Sequence, residues 1–453
     1  MRDNIDSSTI VLVFTNKDLK RLILPLLFEQ ILGLMVGMLD TVMVSSVGEA
    51  AISGVSIVND VNLLIIALLS ALAGGGSVCV SQFFGNGDHE RTRLSASQLI
   101  MISFVVSFVF GLAGIFGAEN ILKFLYPTVS IDVMSAARIY FVITALSFPF
   151  LGLYNAAAAL FRCMARTKVT LYVSILGNII NLVGNYFCIY ILKIGVAGVA
   201  IPTLVSRAVM ALILLVMCFN EHNEISVQFK NMFRFDRNIL NKILTIAIPN
   251  SVENGLFNIG KIIISTFVAT YGTVQIAANG VANSVCVLCY ATDSAMQLAI
   301  VTVIGRCVGA GDYNQTRYYI KKMMIISLVL CLVSNIMVYL ALPLILNMYT
   351  LSEEARSITR VLCTLDCIFM VFFHSFSFVF PCALRAAGDA RYTMYAGAFS
   401  MFVFRCLGAY ILGTVCGYGV IGTWMAMFVD WIVRIVFFVI RYKSNKWMEY
   451  RVV

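Results

Sequence analysis

LILPLLFEQILGLMVGMLDTVMV, residues 22–44, is the stretch of this sequence that decides the fold. As an α-helix, these almost entirely apolar residues reach about 35 Å, enough to cross the roughly 30 Å hydrocarbon core of a bilayer. The stretch nevertheless contains two carboxylates, Glu29 and Asp40, whose spacing places them within about 20° of one another around the helix. Because a carboxylate exposed to lipid is costly, we predict that this face borders a polar pathway.

The same helix carries residues that loosen it. Pro25 lacks a backbone N–H, and Gly33 and Gly37 let a neighbouring helix approach closely. We therefore predict a helix that bends, with Pro25 as its hinge. Two interpretations of the carboxylates remain open, since they could couple ion movement to transport or be hydrogen-bonded inside a helix bundle to fix its packing.

Composition indicates an integral membrane protein. The 453 residues are 60% hydrophobic and 12% charged with a mean hydropathy of +0.91, whereas soluble domains are about 45–50% apolar. The net charge of +9 could indicate a nucleic-acid partner, but the basic residues lie in loops on one side of the predicted spans. Membrane orientation explains them, and we predict no nucleic-acid partner. Most of the 13 cysteines lie inside apolar spans, where we expect neither disulfides nor a metal.

Twelve apolar windows of membrane length divide into two sets of six. A polar, charged segment separates the sets, so we predict an N-terminal lobe over residues 1–219, a cytoplasmic linker over 220–241 and a C-terminal lobe over 242–453. The windows, which we number as spans 1 to 12, fall at residues 22–44, 52–83, 94–116, 136–160, 169–191, 196–218, 242–270, 274–303, 322–347, 357–383, 393–415 and 420–442.

The two halves repeat one another with an offset of 224 residues. Glu29 corresponds to Glu253, and residues 85–88 (GNGD) correspond to residues 309–312 (GAGD). Each half has an even number of spans, so both halves cross the membrane in the same direction and form parallel repeats. The cleft between the two lobes is the predicted transport path.

The distribution of basic residues predicts the orientation. Both termini and the loops after even-numbered spans are rich in Lys and Arg, whereas the opposite loops offer little beyond Lys123, Lys193 and Arg356. By the positive-inside rule, we expect both termini to be cytoplasmic in a multi-pass protein of the bacterial cell membrane.

Span 5 carries two asparagines that could contact the carboxylates of span 1. Asn181 and Asn185 lie one turn apart, and their amide oxygens could ligate Na⁺ together with Asp40, since a hard cation takes several oxygen donors. An ordinary interhelical hydrogen bond would bring the same residues together. We predict a cation-coupling group of Asp40, Asn181, Asn185 and Glu29, in which the first three could hold Na⁺.

Polar side chains at helical spacing predict a cavity in the second lobe. One stripe runs along span 7 and another along span 8. Such residues also hold membrane helices together, so a packing interface remains the alternative. The residues that we assign to the second-lobe cavity are Glu253, Asn254, Asn258, Lys261, Asn283, Asp293, Asp366 and His374.

Ionisable members of this set suggest further roles. Lys261 could neutralise Glu253 or Asp293 until a cationic substrate arrives. His374 is the only histidine inside a span, and its ordinary pKa near 6.5 would let it exchange protons, as could Asp366. A lone histidine inside a protein is, however, more often a packing residue.

These features together resemble the multidrug and toxic compound extrusion (MATE) transporters. The similarity extends over nearly the whole chain and rests on Pro25 and Asp40, on the two GxGD loops, and on RAAGD at residues 385–389, which resembles the family's RGxGD loop after its tenth helix. The sequence around span 1 is similar to that of family members that are common in Firmicutes. The resemblance implies an all-α, twelve-helix, V-shaped fold of two lobes that exchanges inward-moving Na⁺ or H⁺ for an outgoing, often cationic compound.

The resemblance also implies roles for individual residues. In the family, an acid on span 1 belongs to the N-lobe cation site; Asp40 matches it, and Asn181 matches one of its partners on span 5. Asn185 stands where the family carries an acid, so this site would have one negative charge fewer. Other members couple transport through acids on spans 7 and 10, where Glu253 and His374 lie nearest.

The predicted function is secondary active multidrug efflux rather than catalysis. We expect a monomer in the lipid bilayer, with small-molecule substrates and no cofactor beyond the coupling Na⁺ or H⁺. A lipid or polysaccharide-precursor flippase of the same superfamily is the alternative, because Arg207, Lys261 and Arg405 could bind a phosphorylated headgroup. A major-facilitator transporter would carry a different pattern at residues 85–93, and an intramembrane aspartyl protease would place GxGD on a span rather than in a loop.

Overall fold

The structure, a computed structural model, describes residues 13–127, 129–349 and 351–453. Within these ranges the chain is helical almost throughout, and its long helices are joined by short connections. The long helices are α1 Asn16–Ser45, α2 Glu49–Gly85, α3 His89–Leu125, α4 Ile131–Leu146 with Phe148–Cys163, α5 Thr167–Ile191, α6 Ala197–Cys218, α7 Arg237–Ala269, α8 Thr273–Gly309, α9 Tyr313–Asn347, α10 Glu353–Ala386, α11 Ala390–Val415 and α12 Gly419–Lys443. The two segments of α4 meet at an angle of 43°.

Nearly all of these helices are long and apolar enough to cross a membrane. Ten of those in the described ranges qualify singly, and the bent α4 is an eleventh. The remaining helix, α7, has 33 residues, about 50 Å of helix, but it carries Glu253, Lys261 and a row of asparagines that lower its apolarity. The predicted all-α membrane fold of two six-helix lobes is confirmed. α7 begins ahead of the predicted span because Asp236 caps it, accepting a hydrogen bond from the Asn238 N–H at 2.9 Å.

The two GxGD loops each combine a glycine turn with a helix N-cap. Gly87 and Gly311 both have a φ of +76°, a left-handed conformation that glycine adopts without steric cost. Asp88 and Asp312 then accept hydrogen bonds at 3.0 and 2.9 Å from backbone N–H groups in the first turns of α3 and α9. The repeated motif therefore starts two equivalent helices in the same way, as expected of a connector.

Glycines bring the two lobes together at the end of the molecule where the described chain begins and ends, which we call the termini face. Gly85 ends α2 and Gly309 ends α8. A Cβ atom on Gly85 would clash with the Arg306 carbonyl, and one on Gly309 would clash with the Gln82 carbonyl. The two helices therefore cross backbone to backbone, and the repeat makes the crossing nearly symmetric.

Side chains from each lobe bond to the opposite lobe beside this crossing. Gln82 Nε2 donates to the Ala386 carbonyl at 2.7 Å. Arg306, which is the repeat counterpart of Gln82, donates from Nε to the Cys163 carbonyl at 2.9 Å. Each bond joins the end of one central helix to the last residue of the fourth helix of the other lobe. The lobes are thus held together at the termini face.

Candidate functional site

Asp40 and two asparagines form a polar group between α1 and α5. Asn185 Nδ2 donates to Asp40 Oδ1 at 2.7 Å. The Asn181 amide nitrogen lies 3.0 Å from the same carboxylate oxygen when the amide oxygen accepts from Thr203 Oγ1 at 3.1 Å. The two asparagines lie one turn apart on the buried face of α5, which packs against α1. Three of the four residues predicted as the cation-coupling group therefore come together.

The chemistry of this group suits a small monovalent cation. Asn185 Oδ1 is buried and has no hydrogen-bond partner, so an oxygen acceptor beside the carboxylate is unused. Rotating an amide about its last torsion would replace its nitrogen by an oxygen and give an ion a further donor. The described residues contain no cluster of three His, Cys, Asp or Glu side chains that could hold a metal ion. The donor set fits H⁺ or Na⁺ better than a transition metal.

Asp40 faces a cavity inside the first lobe. The cavity has a volume of about 400 Å³, within the range of pockets that hold drug-sized ligands. Asp40 and Arg207 are the charged residues that line it. Tyr140 and Asn59 also line it and are bonded to one another, with the Tyr140 hydroxyl donating to Asn59 Oδ1 at 3.4 Å. The coupling group therefore lies in the wall of a cavity large enough for an organic substrate.

Glu29, the fourth predicted member of the coupling group, lies elsewhere. The Thr170 hydroxyl donates to Glu29 Oε2 at 2.9 Å, and Arg162 Nη2 lies 3.9 Å from Oε1. In the second lobe, its repeat counterpart Glu253 accepts a hydrogen bond from Arg385 Nη1 at 2.7 Å. The two glutamates are thus buried members of equivalent ion pairs, and the structure does not join Glu29 to Asp40.

These ion pairs line two cavities between the lobes. Glu29 and Arg162 border a cavity of about 630 Å³, and Glu253 and Arg385 border one of about 270 Å³. Gln297 of α8 lines both cavities, so they adjoin. They lie in the interlobe cleft that the repeat analysis predicts as the transport path.

A buried carboxylate–histidine pair lies in the second lobe. His374 Nδ1 is 2.5 Å from Asp293 Oδ2, and the Ser327 and Ser375 hydroxyls donate to Asp293 Oδ1 at 3.0 and 2.9 Å. His374 and Ser375 are adjacent in the π-helical segment Met370–Val379 of α10, and both reach the carboxylate. The sequence placed Asp293 and His374 in one cavity without predicting their bond, because hydrophobic periodicity does not reveal a π-helical turn.

Asp366 is connected to this pair through an aromatic ring. The Tyr290 hydroxyl donates to Asp366 Oδ1 at 3.2 Å, and Asp366 Oδ2 is buried without a partner. The Tyr290 ring stacks on that of His374 with 5.0 Å between the ring centroids. Asp293, His374 and Asp366, predicted as members of one cavity, therefore form one connected buried cluster.

The asparagine stripe of α7 bonds mainly to its own helix. Asn254 Nδ2 donates to the Asn250 carbonyl, and Asn258 Nδ2 to the Asn254 carbonyl, both at 2.8 Å. Asn254 also lines the 270 Å³ cavity beside Glu253. On α8, the exposed Asn283 bonds in the same way to its own helix. The predicted second-lobe cavity is therefore divided between the interlobe cleft and the buried histidine cluster, because these amides satisfy themselves locally.

Lys261 is exposed and forms no ion pair among the described residues. Both of its suggested partners bond elsewhere, Glu253 to Arg385 and Asp293 to His374. The structure therefore does not pair Lys261 with either carboxylate, and its role as a counter-charge stays a prediction. Both partners of these acids, Arg385 and His374, lie on α10.

Pro25 lies buried inside α1, four residues before Glu29. The helix continues from Asn16 to Ser45 with no change of helical type at the proline. The missing N–H removes one backbone hydrogen bond there, so the position suits a hinge. Bending at Pro25 stays a prediction.

Comparisons with known proteins agree with the two-lobed repeat. A family model described as MatE matches the chain twice, over residues 25–187 and 249–411. The "Uncharacterized transporter YisQ" of Bacillus subtilis is 26% identical over 430 residues, covering 94% of this chain and 93% of that protein. The "Probable multidrug resistance protein NorM" of Thermotoga maritima is 23% identical over 435 residues, covering 95% and 93%.

Solved structures share the fold. The crystal structure of MATE in the bent conformation superposes with a TM-score of 0.87 at 19% identity and covers 96% of each chain. An outward-facing multidrug resistance MATE family transporter of the MOP superfamily gives a TM-score of 0.87 at 19% identity, covering 94% of this chain and 96% of its own. At this identity the likeness concerns the fold, and it extends over both lobes.

Proposed function

The chain belongs to the MatE family of multi-pass membrane transporters, and from that premise we propose that it is a secondary active multidrug efflux antiporter. It exports organic, often cationic compounds in exchange for Na⁺ or H⁺. The observation that carries the proposal is Asp40, a carboxylate on a membrane helix that is held by amides of α5 and faces a 400 Å³ cavity. The multidrug resistance named for NorM relatives supports the substrate class.

Exchange follows from competition at one carboxylate. A cation that binds Asp40 neutralises it, with Asn181 and Asn185 as further ligands or donors. The cationic group of a substrate needs the same charge, so the two ligands exclude one another. Because each ligand shifts the balance between two arrangements of the lobes by its difference in affinity for them, alternation exchanges one for the other across the membrane. Bending of α1 at Pro25 is the proposed local movement.

The remaining predicted residues have proposed places in this scheme. Glu29 and Glu253, with their arginine partners, border the interlobe path and hold its walls together. Asp293, His374 and Asp366 form a candidate second coupling site in the other lobe, because two carboxylates and a histidine are connected there in one buried cluster. The proposal needs no cofactor beyond the coupling ion.

The same scheme proposes a position in the cell. The termini face carries the basic loops, so we place it in the cytoplasm, with the protein in the bacterial cell membrane. Lobes 1–219 and 242–453, linked by 220–241, would move against one another within a single chain. We therefore propose that the monomer is the working unit.

A flippase in the same superfamily is less well supported. It would need several cationic side chains free to bind a phosphorylated headgroup. Arg405 lies 3.8 Å from Asp430 and thus has an acid partner, and Lys261 lines none of the cavities described above. Of the three cations that favoured this alternative, only Arg207 faces a cavity without a carboxylate partner.

Transport of ethidium into inverted membrane vesicles tests the proposal. We expect the wild type to accumulate ethidium under an imposed Na⁺ or H⁺ gradient and Asp40→Asn to lose this accumulation, because a neutral amide cannot exchange a cation. Asp132→Asn, an exposed acid at the start of α4, is the matched control and should transport normally. Accumulation no greater than in empty vesicles under either gradient would contradict drug-cation antiport.

A further inference from the structure

Arg207 of α6 differs from the other arginines that lie half-buried or buried among the membrane helices. Four of these lie between 2.7 and 3.9 Å from a carboxylate oxygen: Arg162, Arg385, Arg405 and Arg434. Arg207 forms no ion pair with any described residue, and its Nη1 donates to the Ser147 hydroxyl at 2.7 Å. An unpaired charge at membrane depth is costly, so it marks a position where a ligand supplies the missing charge.

The cavity that contains Arg207 also contains Asp40. Both residues line it, from α6 and α1, and they form no ion pair with one another. Asn62, only 4% exposed, lines the same cavity, and its Oδ1 has no hydrogen-bond partner. The wall thus offers an acid, a guanidinium and an unused amide oxygen to whatever enters.

The internal repeat distinguishes these two charges from the ion pair of Glu29. At the offset of 224, Asp40 corresponds to Ile264 and Arg207 to Trp431, so neither charge has a counterpart in the second lobe. The ion pair of Glu29, by contrast, is present in both lobes. Asp40 and Arg207 therefore belong to the first lobe alone, as a substrate site confined to that lobe would require.

Charge balance then selects the ligand. A guanidinium binds a carboxylate through two parallel hydrogen bonds, and a carboxylate binds an ammonium group. A purely cationic compound would pair Asp40 but leave Arg207 without a counter-charge in a weakly polar surrounding. A compound with both groups would pair both residues and leave the filled cavity neutral.

We propose that the first-lobe cavity binds zwitterionic organic compounds, with their amine at Asp40 and their carboxylate at Arg207. Arg207 is thus the specificity-determining residue for an anionic substituent. The transport of such compounds rests on the proposed antiport function, whereas their binding does not. A phosphatidylethanolamine headgroup has the same pairing of amine and oxyanion, and the experiment separates the two sources.

Two dyes that differ in one ester test the proposal. Rhodamine 110 has a free carboxylate, and rhodamine 123 is its methyl ester. Fluorescence anisotropy with purified protein in phosphatidylglycerol nanodiscs measures binding without any gradient. We expect the wild type to bind rhodamine 110 about tenfold more tightly than the ester, the effect of one charged hydrogen-bonded pair. Arg207→Gln should bring the two affinities together, and Arg207→Lys should restore part of the preference.

Lys193→Gln is the control variant for Arg207→Gln. It removes an exposed cation after α5 and should leave the dye preference intact. Equal affinities in the wild type, or a preference that survives Arg207→Gln, would overturn the proposal. Loss of dye binding when phosphatidylethanolamine is added would identify the lipid headgroup as the occupant and overturn it as well. Gradient-driven uptake of rhodamine 123 without binding of rhodamine 110 would support the antiport function and contradict the zwitterion site. Arg207-dependent binding of rhodamine 110 without gradient-driven uptake of either dye would support the zwitterion site and contradict the antiport function.

Discussion

Asn185 sets the negative charge of the proposed cation site. Where family resemblance implies an acid, this chain has an amide whose nitrogen donates to Asp40 and whose oxygen is buried without a partner. Asp40 is therefore the single anionic side chain of the proposed cation site. One carboxylate and several neutral oxygens match the charge of one monovalent cation. An amide instead of an acid at position 185 therefore limits the positive charge that the proposed site can balance.

The residue-scale prediction concerns Asn185→Ala. The change removes a donor that stabilises the Asp40 anion and an oxygen that could bind an ion, a loss of about 1.5–3 kcal/mol for a hydrogen bond to a charged group. If the coupling ion is Na⁺, we expect half-maximal ethidium transport to need about tenfold more of it. If the ion is H⁺, half-maximal transport should move to higher pH, because a less stabilised anion keeps its proton more readily.

Asn178→Ala is the matched control for this substitution. Asn178 lies two turns earlier on α5 and has no bond to Asp40. Its removal should leave the dependence on coupling ion unchanged. Equal shifts in both variants would mean that the change acts through the packing of α5, and the proposed role of Asn185 would be lost.

Repetition separates structural charges from functional ones at this scale. Glu253 and Arg385 repeat the pairing of Glu29 and Arg162, and each pair joins the first helix of a lobe to the end of its fourth. Breaking such a buried pair leaves an uncompensated charge, which costs about 3–5 kcal/mol. Sequence comparison of the halves could predict the correspondence of these residues but not their contact, since the partners are more than 130 positions apart.

At the scale of helices, apolar length predicted most of the fold. Apolar windows predicted all twelve helices, including α7, although its charged residues and asparagines lower its apolarity. The bend in α4 and the π-helical segments of α10 were not predictable, because both change backbone geometry without changing which residues are apolar. The histidine cluster depends on such a segment, so its connections also escaped prediction.

The prediction for helices concerns Gly85, where α2 crosses α8. Gly85→Ala places a methyl group against the Arg306 carbonyl, a contact that only movement of the backbone can relieve. We expect the substitution to lower the midpoint of thermal unfolding in detergent by several degrees, equivalent to about 1–3 kcal/mol of overpacking. Ethidium transport should fall with it, because the lobes can no longer meet closely at the termini face.

Gly280→Ala provides the comparison on α8. A Cβ atom there would meet nothing within 4 Å, so the variant gains the helix preference of alanine, about 0.5–1 kcal/mol, without a clash. Its unfolding midpoint should be unchanged or slightly raised. A midpoint for Gly85→Ala as high as that for Gly280→Ala would show that the crossing tolerates a side chain, contrary to the backbone contact described here.

For the whole molecule, the chain ends contribute to closing the termini face. Phe14 of the first lobe donates through its N–H to the Tyr319 hydroxyl on α9 at 2.9 Å. The C-terminal segment, which follows the second lobe, bonds to the first lobe, because the Val452 N–H donates to Gln82 Oε1 of α2 at 2.8 Å. Gln82 itself bonds across the lobes, so the C-terminal segment is bonded to a residue that joins the two lobes. Opening of this face therefore requires the C-terminal segment to leave its position.

Arg451 is the residue through which this closure can be tested. Its Nη2 donates to the Gly309 carbonyl at 2.5 Å and to Asn86 Oδ1 at 2.9 Å, so one side chain joins the ends of α8 and α2. Arg451→Ala should loosen the termini face without touching either cavity. We expect amide hydrogen exchange to accelerate at residues 79–88 and 303–312 and to stay unchanged near Glu49, at the far end of α2.

Lys446→Ala distinguishes this effect from a general change in the C-terminal segment. Lys446 is exposed and lies five positions before Arg451, and its side chain has no bond to either lobe among the described contacts. Its variant should exchange like the wild type. Faster exchange at both ends of α2 in Arg451→Ala would indicate global destabilisation, whereas unchanged exchange at the termini face would mean that the glycine crossing closes it alone. Acceleration confined to the termini face is the result that a movable C-terminal segment requires, because only then does the segment contribute to the free-energy difference between the two arrangements of the lobes.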